Sequence, residues 1–149
     1  MIMVRLYALA LLVAAGGPPA ALAQEAAPPN LAGLWTFEAN LDPVCRFNGQ
    51  ARLIPTGNPD SYDCELTAEQ DCPSIEVRYV VEQSCQANVE NDIVTVESTI
   101  ATFLEGAPTK SYLPDDFALV IRNASHLEGI LVGSSSYPAE WRRAEGAIS

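Results

Sequence analysis

Residues 30–38 read NLAGLWTFE, and the fold follows from how they are read. On an extended chain Trp35 and Phe37 share one face, while Thr36 and Glu38 share the other. Alternation of this kind is the mark of a half-buried strand. The run starts where a polar, proline-rich segment ends, with Gly33 two residues ahead of Trp35. It therefore reads as the first strand.

The same period recurs along the chain, and no segment after Ala23 carries a convincing helical one. Tyr62, Cys64 and Leu66 alternate with Asp63 and Glu65. Val77, Tyr79 and Val81 alternate with Arg78 and Glu82, although Val80 breaks the pattern. Val94, Val96, Ser98 and Ile100 form one face, and Phe117, Leu119 and Ile121 another. Residues 127–132 and 139–143 make the last two runs. Turn-forming clusters separate them: GNPD at 57–60, END at 90–92 and RNAS at 122–125. About eight short strands in up-and-down order result, with one longer connection from Glu105 to Asp116. The expected fold is all-β, a single antiparallel barrel over 31–149 that closes on itself and so has no sheet edges. A two-sheet β-sandwich is the alternative.

The first residues belong to a different class of segment. Arg5 precedes an apolar run from Leu6 to Ala15, too short to span a bilayer, and GGPP at 16–19 breaks any helix. Ala21-Leu22-Ala23 is a small-x-small cleavage pattern, so 1–23 reads as a signal peptide cut after Ala23. Residues 24–30, QEAAPPN, read as a flexible mature N-terminus. Removing 23 of the 149 residues leaves 126, enough for one hydrophobic core. The expected location is the periplasm or the medium, with no membrane insertion after the leader is removed.

The whole chain carries a net charge of −11, and loss of Arg5 makes it −12. Nucleic-acid binding depends on basic groups that displace counterions, so nucleic acid is not an expected partner. Four cysteines, Cys45, Cys64, Cys72 and Cys85, behind an export signal read as two disulfides. A hairpin turning at TGNPD (56–60) that sets Leu53 opposite Cys64 also sets Cys45 opposite Cys72, leaving Cys64 for Cys85. The sequential pairing, Cys45 with Cys64 and Cys72 with Cys85, closes shorter loops and stays open. Neither a C-x-x-C pair nor a histidine cluster suggests a metal, and no cofactor is expected.

Gly33-x-Trp35 on the first strand, with Arg142 and Arg143 on the last, resembles the pattern of lipocalins and related small barrels. That resemblance implies a tryptophan closing one barrel end, with an arginine from the final strand across its ring. Arg142 is the expected arginine. LAGLW at 31–35 followed by Cys45 is also similar to the periplasmic inhibitors of bacterial secreted metalloproteases. This second resemblance, over about Leu31 to Cys72, implies a partner that is an exported hydrolase.

Catalytic machinery is not apparent. His126 is the only histidine and falls beside a turn expected to be exposed. Asp115 and Asp116 are adjacent, so on an extended chain their carboxylates point apart, and with Pro114 they read as shaping a turn. Asp60, Asp63 and Glu65 lack the oxygen spacing of a calcium loop and read as a solvated face. No catalytic residue is assigned. The expected function is an exported, non-catalytic binding barrel for a small apolar molecule. Its ligand-lining candidates are Trp35, Phe37, Tyr62, Tyr79, Phe117 and Arg142, with Val81, Val96 and Leu119 also facing inward. An alternative is docking to an exported hydrolase through the 105–116 connection, where Tyr112 and Leu113 are expected on the surface. A small envelope protein of structural or stress role is the third reading.

Overall fold

The computed structural model describes residues 15–21, 26–41, 43 and 45–144. Most of the expected leader, the cut after Ala23 and the last five residues lie outside them. The strands are β1 (Gly33–Leu41), β2 (Cys45–Pro55), β3 (Ser61–Cys72), β4 (Val77–Glu90), β5 (Ile93–Glu105), β6 (Asp116–Asn123), β7 (His126–Val132) and β8 (Ser136–Arg143). A single 3-10 turn, Pro73–Ile75, joins β3 to β4. All neighbours pair antiparallel, and β1 pairs with β8, so the eight strands close into one up-and-down barrel. The sandwich alternative is excluded.

Strand register follows the turns. In the 56–60 turn Gly57 takes a left-handed φ of 93°, and Asp60 N donates to Asn58 Oδ1 at 3.0 Å. A polar side chain that caps its own turn in this way holds the hairpin at one length. The resulting register sets Leu53 opposite Cys64. Cys45 bonds Cys72 and Cys64 bonds Cys85, with Cα atoms 4.2 and 4.7 Å apart. Directly opposed residues of antiparallel strands lie at about this distance, so each disulfide ties two neighbouring strands. The sequential pairing is excluded, because register keeps Cys45 far from Cys64.

An eight-stranded barrel has an interior just wide enough for side chains to fill it, and here aromatic rings fill it. The Phe37 ring lies 5.7 Å from Phe47, 5.3 Å from Phe117 and 5.4 Å from Trp141. Phe117 meets Trp141 edge-on at 5.1 Å. Small residues at inward positions give the rings their room: Ala51, Ala68, Ala87 and Ala139 are all buried. Gly49 goes further. A side chain there would enter the Phe37 ring and the Thr67 carbonyl.

One end of the barrel is sealed. Leu31 is wholly buried; its carbonyl accepts from Trp35 Nε1 at 2.8 Å, and its N–H donates to Tyr62 Oη at 3.0 Å. The guanidinium over the Trp35 ring, 4.6 Å from its centroid, is that of Arg143. It also donates to the carbonyls of Ala32 (2.7 Å), Asn30 (2.9 Å) and Ala124 (3.0 Å). The expectation for Arg142 is therefore corrected. On β8, Trp141 faces inward, so Arg143 shares its parity while Arg142 points outward and pairs with Glu140 at 2.8 Å. The need for Gly33 has the same origin. Its φ is 120°, and an added Cβ would lie 3.2 Å from Arg143 Nη1.

The other end is less complete. β5 pairs with β6 only over Ile93–Val96. Beyond that, β5 follows β4 through two bulges that leave Ala101 and Leu104 without opposite residues. Ser98 holds the start of β6 instead, donating its N–H to Asp116 Oδ1 and its hydroxyl to the Asp115 carbonyl, both at 2.7 Å. The connection between β5 and β6 folds into the gap this leaves.

Candidate functional site

Gly106 sets the course of that connection. It has φ 86°, and a Cβ on it would strike the Tyr79 ring at 2.5 Å and the Arg78 carbonyl at 2.7 Å. The chain turns sharply against β4 there and carries Tyr112 under the barrel rim. Tyr112 is only 8% exposed. Its ring meets Tyr79 edge-on at 5.3 Å and Phe103 at 5.7 Å, and Tyr79 meets Phe103 at 6.0 Å. Edge-to-face rings at these separations are favourable beyond the area they bury. The expectation that Tyr112 is a surface docking residue is corrected, because burial of its ring closes the gap between β5 and β6. Leu113, the next residue, does remain exposed.

Under Tyr112 lies a buried polar cluster. Tyr112 Oη donates to Asp115 Oδ2 at 2.8 Å, and Gln83 Nε2 donates to the same oxygen. In return, Asp115 N–H donates to Gln83 Oε1 at 2.9 Å. Asp115 is 6% exposed and Gln83 3%. Burial raises the Asp115 carboxyl to a pKa of about 6; the bonds from Tyr112 and Gln83 oppose the rise, and the charge of Asp116 adds to it. The Tyr112 hydroxyl is also pushed up, first by burial, then by the Asp115 charge and their hydrogen bond. Asp115 and Asp116 do point apart, one into the barrel and one toward Ser98 N–H.

Between this cluster and the rim is a cavity of about 360 Å³. Tyr79, Tyr112 and Tyr137 supply aromatic wall, and Leu41, Val77 and Leu131 apolar wall. Gln70 and Asp115 also line it. Ile75, Leu113 and Val132 stand exposed around its edge. A wider hollow of about 600 Å³ lies on the outer face of β1–β3, lined by residues such as Thr36, Glu38, Asn48 and Gln50. Those four side chains are exposed. Among the described residues, the rim cavity combines concavity with a desolvated acid, and this combination marks a candidate site.

The expected lining residues divide accordingly. Tyr79 does line the cavity. Trp35, Phe37 and Phe117 lie in the filled interior, Tyr62 braces the sealed end, and Arg142 is on the outer surface. Trp35, Phe37, Tyr62 and Phe117 are corrected as the lining of an open interior, because their own rings fill that space, whereas Arg142 points outward and lines the outer hollow instead. Val81, Val96 and Leu119 are likewise buried in packing. His126 is half-buried at the start of β7, with Nε2 3.8 Å from Glu140 Oε1, rather than exposed in a turn. Gln83 and Asp115 were missed as inward groups, although parity signalled both. Gln83 follows Val81 by two and Asp115 precedes Phe117 by two, each on the inward face. The chain matches no protein-family model and no curated protein.

Proposed function

We propose that this protein is an exported, non-catalytic binding protein that takes a small, largely apolar guest at the open end of its barrel. The rim cavity carries this reading. Its volume is within the range of small-molecule sites, and rings and aliphatic carbon share its wall about equally with polar groups, among them Gln70, Ser111 and Asp115. The interior beneath is filled, so the guest sits at the mouth and not in a deep calyx. Two disulfides fit an oxidising compartment, in keeping with the periplasm or the medium.

The test is titration of the mature, oxidised chain with the neutral fluorescent probe N-phenyl-1-naphthylamine. Saturable one-to-one binding is expected, with at least a tenfold loss, or about 1.4 kcal/mol, in Tyr79→Trp, which overfills the cavity. Absence of saturation, or a Tyr79→Trp variant that binds as wild type does, would overturn the reading.

Docking to an exported hydrolase is the second reading, favoured by the exposed apolar rim of Ile75, Leu113 and Val132. It predicts that Leu113→Asp abolishes inhibition of the partner enzyme while probe binding persists.

A further inference from the structure

The mouth has a second chemical character besides its apolar wall. Asp115 Oδ2 accepts from both Tyr112 and Gln83, whereas Oδ1 accepts no hydrogen bond among the described residues. Asp115 is among the residues lining the cavity, and Oδ1 is its one carboxylate oxygen left without a hydrogen bond for a guest to use. No lysine or arginine is among the lining residues. Arg78 is held by Glu69 and Glu105 at 2.7 and 2.8 Å, Arg46 by Asp71 at 2.9 Å, and Lys110 of the connection is exposed. Aromatic faces attract cations, and a carboxylate deprived of water gains most from a charged donor.

We propose that the mouth binds an organic ammonium group, with its nitrogen donating to Asp115 Oδ1 and its carbon skeleton against the rings of Tyr79, Tyr112 and Tyr137. This rests on the mouth being the binding site, and it names the ligand class. The surroundings of Asp115 leave the guest as the only cation in contact with it. From β4 it meets neutral Gln83, from β5 neutral Ser98, from the connection Tyr112, and from β6 its neighbour Asp116. An uncompensated acid that burial disfavours, as its pKa of about 6 reflects, is restored to full charge by an ammonium partner.

Calorimetry on the mature, oxidised protein compares 2-phenylethylamine with its neutral isostere 2-phenylethanol. At pH 7.5 the amine should bind at least tenfold more tightly than the alcohol. Asp115→Asn should remove that preference. Affinity for the amine should fall about tenfold from pH 7.5 to pH 5 as Asp115 protonates, since the amine keeps its own proton throughout. If Asp115→Asn does not fold, Tyr112→Phe serves instead. It keeps the ring and withdraws the hydrogen bond that lowers the Asp115 pKa, so the pH at which amine affinity falls should move upward.

Equal binding of amine and alcohol would overturn the ammonium assignment and leave the mouth as an apolar site. Failure of both to bind would overturn the mouth site itself. A lysine side chain presents the same group, so Nα-acetyl-lysine methylamide is included as a third ligand. Preference for it would assign the ammonium to a protein chain, and preference for the free amine to a small metabolite.

Discussion

At the scale of the residue, one arginine does most to seal the barrel. Arg143 reaches three carbonyls and lies over Trp35, while Arg142 beside it makes one exposed ion pair. Exposed pairs of the second kind contribute about 0–1 kcal/mol. Hydrogen bonds from charged donors contribute about 1.5–3 kcal/mol, and a cation over a ring roughly another 0.5–1. Arg143→Ala should therefore destabilise the fold by about 2–4 kcal/mol and Arg142→Ala by less than about 1, read by urea denaturation. Similar losses for the two would contradict this assignment. That Trp35 lies on an inward face of the first strand was legible in the sequence, but which of the adjacent arginines lies over its ring was not. Sequence establishes that neighbours face opposite ways without saying which face is inward, and the inward burial of Trp141 decides it.

At the scale of the element, the connection from β5 to β6 behaves as part of the core and not as a free loop. Prolines, polar residues and length all suggested a surface segment. Its conformation depends on Gly106 turning against Tyr79 and on Asp115 reaching Gln83, a contact 32 residues away in sequence. Such a contact leaves no local trace. Tyr112→Ala should cost about 3 kcal/mol, through the lost ring contacts and the loss of one of the two hydrogen bonds to a buried carboxylate, whereas Leu113→Ala should cost under about 0.5. Thermal or urea unfolding separates the two. A mild Tyr112→Ala variant would mean that the connection is not anchored as described.

At the scale of the whole molecule, Asp115 links stability to pH against the usual direction for an aspartate. Its folded pKa of about 6 lies above an ordinary value near 3.9. Between these values the folded state holds a proton that the unfolded chain has lost, so stability falls as pH rises. The contribution is fully present below about pH 4 and is gone above about pH 6; two pKa steps correspond to roughly 3 kcal/mol. Other carboxylates act in the same range, so the measurement is the difference between wild type and Asp115→Asn. That difference should move against wild type by roughly 2 kcal/mol from pH 4 to pH 7 in chemical denaturation. A difference independent of pH would mean that Asp115 ionises as freely as it does in water.

The strand runs and their up-and-down order were legible in the sequence itself, whereas the closing pair of β1 with β8 was not. Period-two alternation is a property of neighbouring residues, and turns such as 56–60 are held by their own side chains. Given that hairpin register, even the Cys45–Cys72 pairing followed from counting. Tertiary structure alone decided that the interior is full, that Tyr112 is buried, and that Gln83 and Asp115 meet at the mouth. Filling a barrel depends on ring and small-residue volumes brought together from all around it, and the charge state of Asp115 depends on how much water its distant neighbours exclude. Neither quantity belongs to any single stretch of the chain.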